Sequence, residues 1–257
     1  MPTNRLLILL ATYALTFAFI AGYFFLIELL DHTLSDRRRA ESITGGRVLG
    51  AFPKESTLRY RRFNKIINDM AMRHLSKSIL PYFKSNQQNV VNLLSTEEKD
   101  GKSMLANELE EYWNSLGLSV RRLTYDEDFL SEDSKYIMAE TAKDLCPDIA
   151  ADEILLIEYP SLKEYSISPA LLNMATLNLI VARANRTWKD TDQKVYTELT
   201  NNLSKDKRNS MFLYLTQADR NAVEEFTGQL PPYTMFKNFI YRMSQLGLTA
   251  VENKHAK

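Results

Sequence analysis

The sequence predicts an α/β protein, with one apolar helix near the N-terminus followed by a domain built on a mostly parallel sheet covered by helices. Three observations carry this. Residues 6–30 are an apolar run with a single charge, Glu28. Beyond it, apolar runs of strand length alternate with helical patterns. The loop between the first of these strands and its helix ends in Gly101-Lys102-Ser103, the closing half of a phosphate-binding loop.

The run LLILLATYALTFAFIAGYFFLIELL has 25 residues, and a helix needs about 20 apolar residues to cross a bilayer. It predicts a membrane helix over residues 1–31 with its flanks. A signal peptide would be shorter and close on small residues, whereas this run ends in Glu28-Leu-Leu-Asp31. A helix buried in a soluble core would normally show one polar face. Arg37, Arg38 and Arg39 follow the run, with Arg47, Lys54, Arg59, Arg61 and Arg62 beyond, against Arg5 and the terminal amine before it. That asymmetry places the C-terminal domain in the cytoplasm. The same basic residues favour membrane lipid with anionic headgroups, or act as a topology signal alone. Formal net charge is zero, so nothing points to nucleic acid. The lone Cys146 cannot close an intramolecular disulfide, in keeping with a reducing compartment.

Residues 32–57 are polar and turn-rich apart from Val48–Pro53 and read as a connector, leaving 58–257 as the folded domain. Phe63, Ile66, Ile67, Met70, Leu75 and Ile79 have helical spacing within Leu58–Phe83. The basic residues among them, from Arg59 to Lys77, read as a solvated face. Asn89–Leu94 reads as a strand, Lys102–Leu116 as a helix ended by Gly117, and Leu118–Leu123 as a second strand. Glu153–Ile157 is a third strand, leading into Glu158-Tyr159-Pro160. A helical piece over Pro169–Ala175 precedes a fourth, Leu177–Ala182. Strands alternating with helices imply a parallel sheet covered on both faces.

The loop Ser95-Thr-Glu-Glu-Lys-Asp-Gly-Lys-Ser103 carries the chemistry. A P-loop curls backbone N–H groups round phosphates at a helix N-terminus, with a lysine on the outer phosphates and a hydroxyl on magnesium. Its spacing makes Thr96, Asp100, Gly101, Lys102, Ser103 and Met104 the nucleotide-binding residues. Thr96 stands where the motif has its first glycine, and Lys99 where related loops often have another. Glu158 is either a magnesium-organising carboxylate, paired with Ser103, or a solvated strand end. Asp126 in Asp126-Glu127-Asp128 is either a second catalytic carboxylate or part of a charged loop tip. Lys102, Asp126 and Glu158 are thus the catalytic candidates, and Ser103 and Glu158 the metal candidates. His32, His74 and His255 are scattered, with no ligand spacing for a metal. Trp113 and Trp188, on predicted helices, read as packing residues.

The stretch NVVNLLSTEEKDGKSMLANELEEYWNSLGLSVRRL resembles the nucleotide-binding region of bacterial tyrosine kinases, the cytoplasmic domains of polysaccharide co-polymerases. ILLIEYPSL is similar to the family's acidic strand, with Glu158 for its aspartate, and LNLIVARANRTWKDTDQ to its later strand and helix. The apolar run with ELLDHTLSD and VLGAFP resembles the last membrane helix and connector, so the likeness covers nearly the whole chain. It implies a P-loop NTPase-like domain that takes ATP and Mg2+. It also implies autophosphorylation between the subunits of a homo-oligomer, with the basic helix from Arg59 to Lys77 as a subunit contact in place of a solvated face, at the bacterial inner membrane, with polysaccharide synthesis and export machinery as partner. Three departures stand out. Thr124-Tyr125-Asp126 replaces an Asp-x-Asp, and the tail VENKHAK lacks the tyrosines that accept phosphate. No first span or periplasmic domain precedes the helix, as in the C-terminal part of a longer protein or a separate cytoplasmic half. The rival functions are a catalytically inactive oligomeric scaffold of the same machinery and a membrane-linked partitioning-type ATPase.

Overall fold

A computed structural model describes residues 5–56, 61–85, 87–124, 138–150 and 152–233. Helix α1, Arg5–Leu30, has 26 residues. At about 1.5 Å per residue it is roughly 39 Å long. It is long and apolar enough to cross a membrane, and residues Ile8–Leu26 bury nothing against the rest of the protein. The hydroxyls of Thr12 and Thr16 donate to Ile8 O and Thr12 O, each at 2.9 Å, so no polar group on them is left for lipid to solvate.

Helix α2, Arg37–Thr44, starts where the Asp36 carboxylate accepts the Arg39 N–H at 2.9 Å, and stops at Gly45 in the left-handed conformation, φ 71°. Strand β1, Val48–Pro53, follows and pairs in parallel with the last strand of the sheet. The apolar piece of the expected connector is therefore part of the sheet. Pro53 closes it, as suits an edge strand.

Helix α3, Asn64–Ile79, buries Ile67, Ala71, Leu75 and Ile79, four residues apart in each case, and continues into a 3-10 turn over Leu80–Tyr82. Strand β2, Asn89–Ser95, leads to helix α4, Lys102–Ser115, whose buried side is Leu105, Ala106, Leu109 and Trp113. The Trp113 indole N–H donates to Ser76 Oγ at 2.9 Å, tying α4 to α3. Gly117, φ 80°, turns the chain into β3, Val120–Thr124. Next come α5 (Ala142–Leu145), β4 (Ile154–Ser161), α6 (Pro169–Met174), β5 (Leu177–Arg183) and α7 (Asp190–Asn202). A 3-10 segment, Lys205–Ser210, then leads to β6 (Met211–Ala218) and α8 (Arg220–Thr227). Trp188 lies just before α7 and not on a helix. The Asp192 carboxylate accepts the Lys189 N–H at 2.8 Å, which starts the helix at Asp190.

The six strands among the described residues run in the order β1-β6-β5-β2-β4-β3, and every neighbouring pair is parallel. Their side chains serve two cores. Along β2, Val91 and Leu93 face the core covered by α3, α4 and α8, and Val90 and Leu94 face the one covered by α5, α6 and α7. Burial on both faces explains why the strands read as continuous apolar runs. Asn92 is the polar exception: its amide donates to Asn178 Oδ1 at 2.8 Å, while Asn178 donates to Leu172 O at 3.0 Å, so the pair holds α6 against the sheet centre. Sheets of this kind place ligands beyond the carboxyl ends of their strands. The loop after β2 opens there.

Candidate nucleotide site

Ser95 closes β2, and residues 96–101 carry the chain to Lys102, the first residue of α4. The turn depends on two left-handed residues, Lys99 at φ 59° and Gly101 at φ 92°. Left-handed positions between right-handed ones point successive N–H groups into one concavity, which favours anions. Gly101 is required twice over. A Cβ there would come within 3.1–3.3 Å of the Thr216 side chain, whose hydroxyl donates to Asp100 O at 2.5 Å. Gly101→Ala is expected to destabilise the protein by about 1–2 kcal/mol from the backbone conformation alone, read as a lowered urea midpoint. A midpoint equal to wild type would show that the loop has rearranged.

Lys102 is buried and its ammonium donates to Ser95 Oγ. The Ser103 hydroxyl donates to Glu158 Oε1. Strand β4 runs on through Glu158 to Ser161, so the carboxylate is fixed within the sheet, level with Leu93 on β2 and Thr124 on β3. Glu158 Oε2 is buried and makes no hydrogen bond among the described residues. An unpartnered buried carboxylate oxygen beside a serine hydroxyl at a loop for anions suits a cation. Among the described residues no group of three or more His, Cys, Asp or Glu is arranged to hold a metal ion. The donors therefore suit a hard cation that takes most of its ligands from outside the protein.

Two of the predicted loop residues turn away from the concavity. Thr96 is buried, its hydroxyl accepting from Arg186 Nη2 at 2.7 Å. Asp100 is fully buried, with Arg186 Nε at 3.1 Å and Arg183 Nε at 3.4 Å from its Oδ1. Met104 leans on the core between α3 and α4, so what it offers the loop is its backbone N–H at the helix start. Asp126 lies outside the described residues.

The side chain that organises the loop from below, Arg186, belongs to no motif. It is buried and ion-paired to Asp100 and to Asp192, the latter at 2.9 Å, with its guanidinium 5.3 Å over the Trp188 ring. Lys163 lies between Asp192 at 2.9 Å and Glu97 at 2.8 Å, and Lys189 reaches the same Glu97 oxygen at 3.0 Å. The only sequence signal for Arg183, Arg186 and Lys163 is their position just at or past the carboxyl ends of β5 and β4. Ser161 Oγ to Thr96 O, 2.8 Å, and Leu162 N to Ser95 O, 2.9 Å, stitch the loop to the end of β4.

These contacts set the titration. Burial works to raise the Asp192 carboxyl, but the Thr96 hydroxyl, the Lys189 N–H, Lys163 and Arg186 outweigh it and hold it down at about 2, from 3.8. Lys163, followed by Lys189 and Arg186, also holds Glu97 low against its partial burial. Asp100 goes the other way, pushed up by burial against the charges of Arg186 and Arg183. A depressed carboxylate stabilises the fold above its unfolded value and loses that contribution as pH falls through its folded value. Asp100, being raised, offsets part of it. Between pH 4 and pH 2 the wild type should thus lose thermal stability more steeply than Asp192→Asn. Parallel melting profiles for the two would rule out the Asp192 contribution.

No family model matches the chain, and no curated protein matches it in sequence. Solved structures do. The kinase domain of Escherichia coli tyrosine kinase ETK aligns at TM-score 0.49 and 11% identity, over 78% of this chain and 96% of that one. The BceF tyrosine kinase domain aligns at TM-score 0.50 and 12% identity, over 71% and 98%. The chimerical protein CapA2B2 aligns at 0.45 and 13%, over 72% and 100%. At such identities the likeness is one of fold, and the BceF domain carries it: this chain has the α/β fold of a bacterial tyrosine kinase domain.

Proposed function

We propose that this chain is a membrane-anchored, nucleotide-binding module of the tyrosine-kinase type that serves polysaccharide synthesis and export at the bacterial inner membrane. In this reading α1 spans the membrane, residues 32–57 connect it to the domain and lend β1 to the sheet, and 58–257 complete a cytoplasmic domain that works as a homo-oligomer. The observation that carries the nucleotide assignment is the convergence of Lys102, Ser103 and Glu158 on one loop with two left-handed turns.

Lys102 would leave Ser95 and neutralise the outer phosphates of ATP, with the N–H groups at the start of α4 on the inner ones. Ser103 and Glu158 would hold Mg2+, which would neutralise the charge that develops on the phosphates. Thr124, level with Glu158, supplies no carboxylate to take a proton from an acceptor hydroxyl. Calorimetric titration of the full chain in detergent with magnesium-ATP should show saturable heat that Lys102→Ala removes. No heat at millimolar nucleotide would overturn the assignment.

One observation favours a second reading, an oligomeric scaffold that takes no nucleotide: Glu97 of the loop already occupies Lys163 and Lys189. Labelled ATP separates the cases. Phosphotyrosine lost in Lys102→Ala marks a kinase, phosphate release alone a partitioning-type ATPase, and neither marks a binding module or a scaffold.

A further inference from the structure

A second charged concavity lies at the β1 edge of the sheet, where α2, the turn into β1 and α3 meet. Its volume is about 560 Å3, and its lining includes Arg37, Arg47, His74, Lys77, Ser78 and Phe226 but no acidic residue. Four basic side chains from three separate segments thus face one space. Arg47 and Lys77 form no ion pair among the described residues; Arg47 has only the Phe212 ring, 5.6 Å from its guanidinium. Arg37 pairs with Glu41 at 3.2 Å and stands over the Phe226 ring at 5.7 Å. The imidazole of His74 is pushed below its usual range first by burial and then by Lys77 and Arg37.

The cavity is also close to the end of α1. Six residues, 31–36, separate that helix from Arg37, a reach of about 22 Å at most. That segment is held in place: Asp31 pairs with Arg39 at 3.1 Å, Thr33 bridges to Thr187, and Trp188 N–H donates to His32 O at 2.9 Å.

We propose that this cavity binds a phosphate-bearing anion, and that its position makes the phosphate of an anionic membrane lipid the natural occupant. Arg47 and Lys77 supply the charge, Ser78 a hydroxyl donor, and the Phe226 ring an apolar wall for the glycerol end of a headgroup. The assignment rests on the membrane placement of α1 and is independent of nucleotide binding. It goes beyond diffuse attraction of basic residues to the bilayer, because it names a concave site with a defined set of donors.

The test uses the full chain in nanodiscs of three parts phosphatidylcholine to one part phosphatidylglycerol, released into native mass spectrometry. Wild type should retain phosphatidylglycerol in excess of its share of the disc. Lys77→Gln should cut that excess about fivefold, the effect of one basic residue near the surface, and Arg47→Gln/Lys77→Gln should abolish it. Arg38→Gln, an exposed juxtamembrane change outside the cavity, should leave it in place. Lys77 is exposed at the end of α3, so its variant folds even if the Arg47 variant does not. Pyrophosphate added to pure phosphatidylcholine discs separates the sources. Binding there with no phosphatidylglycerol excess would assign the cavity to a soluble phosphate and overturn the lipid. An excess reduced equally by Arg38→Gln would overturn the cavity itself. Magnesium-ATP titration of the Lys77→Gln chain should match wild type, so failure here and failure of the nucleotide assignment are told apart.

Discussion

Replacing Arg186 by leucine is expected to destabilise the protein by about 3–5 kcal/mol, the cost of breaking a buried charge pair by removing one partner. The guanidinium holds Asp100, Asp192 and Thr96 together at 2.7–3.1 Å, and both carboxylates are fully buried. Without it Lys163 still serves Asp192, but the cationic partner left to Asp100 among the described residues is Arg183 at 3.4 Å, beside backbone N–H bonds from Glu97 and Arg183. Lysine should recover little, since one ammonium cannot meet three partners in the plane of a guanidinium. The double variant Arg186→Leu/Asp100→Leu should be more stable than Arg186→Leu alone, because it removes the orphaned carboxylate too. Urea unfolding followed by tryptophan fluorescence reads all three. A midpoint for Arg186→Leu within error of wild type would show that the network is not structural.

Removing the ammonium of Lys102 should weaken magnesium-ATP binding by about 2–3 kcal/mol, the usual effect of truncating one partner of a buried charged contact. That is roughly 30- to 150-fold in Kd. Lys102→Met is the better variant for this measurement, because it keeps the volume of a side chain that is itself buried, so a loss of binding is not a loss of loop shape. Glu158→Gln is its complement. It keeps an acceptor for Ser103 but removes the charge, and should weaken binding in magnesium while leaving magnesium-free binding nearly unchanged. Equal affinity of wild type and Lys102→Met would remove the lysine from the phosphate site.

The centre of the fold was legible because its signals are local. The run NVVNLLS is apolar on both faces, Gly101-Lys102-Ser103 marks the start of a helix, and Gly117 marks its end. Strand β1 was hidden by Gly50 and Pro53, residues that read as turn chemistry. Gly50 is there because a Cβ would lie 2.9 Å from the ring of Tyr214 on β6, a neighbour no local pattern shows. Strand β6, MFLYLTQA, is as apolar as β4 but adjoins no motif. The arginine beneath the loop could not be found from spacing. Arg186 meets Thr96 from ninety positions away, and its chemistry exists only once β5 lies beside β2. Glu158 was found by its place after an apolar run, although its strand proved longer than that run.

Strand β6 touches the loop at one end and β1 along its length. Thr216 holds Asp100 O, and β1 follows α2 after Gly45, Gly46 and Arg47. A parallel strand pair does not stretch. With α1 in a membrane, as proposed above, a displacement of β1 would reach the floor of the loop through β6 as the movement of a stiff bar.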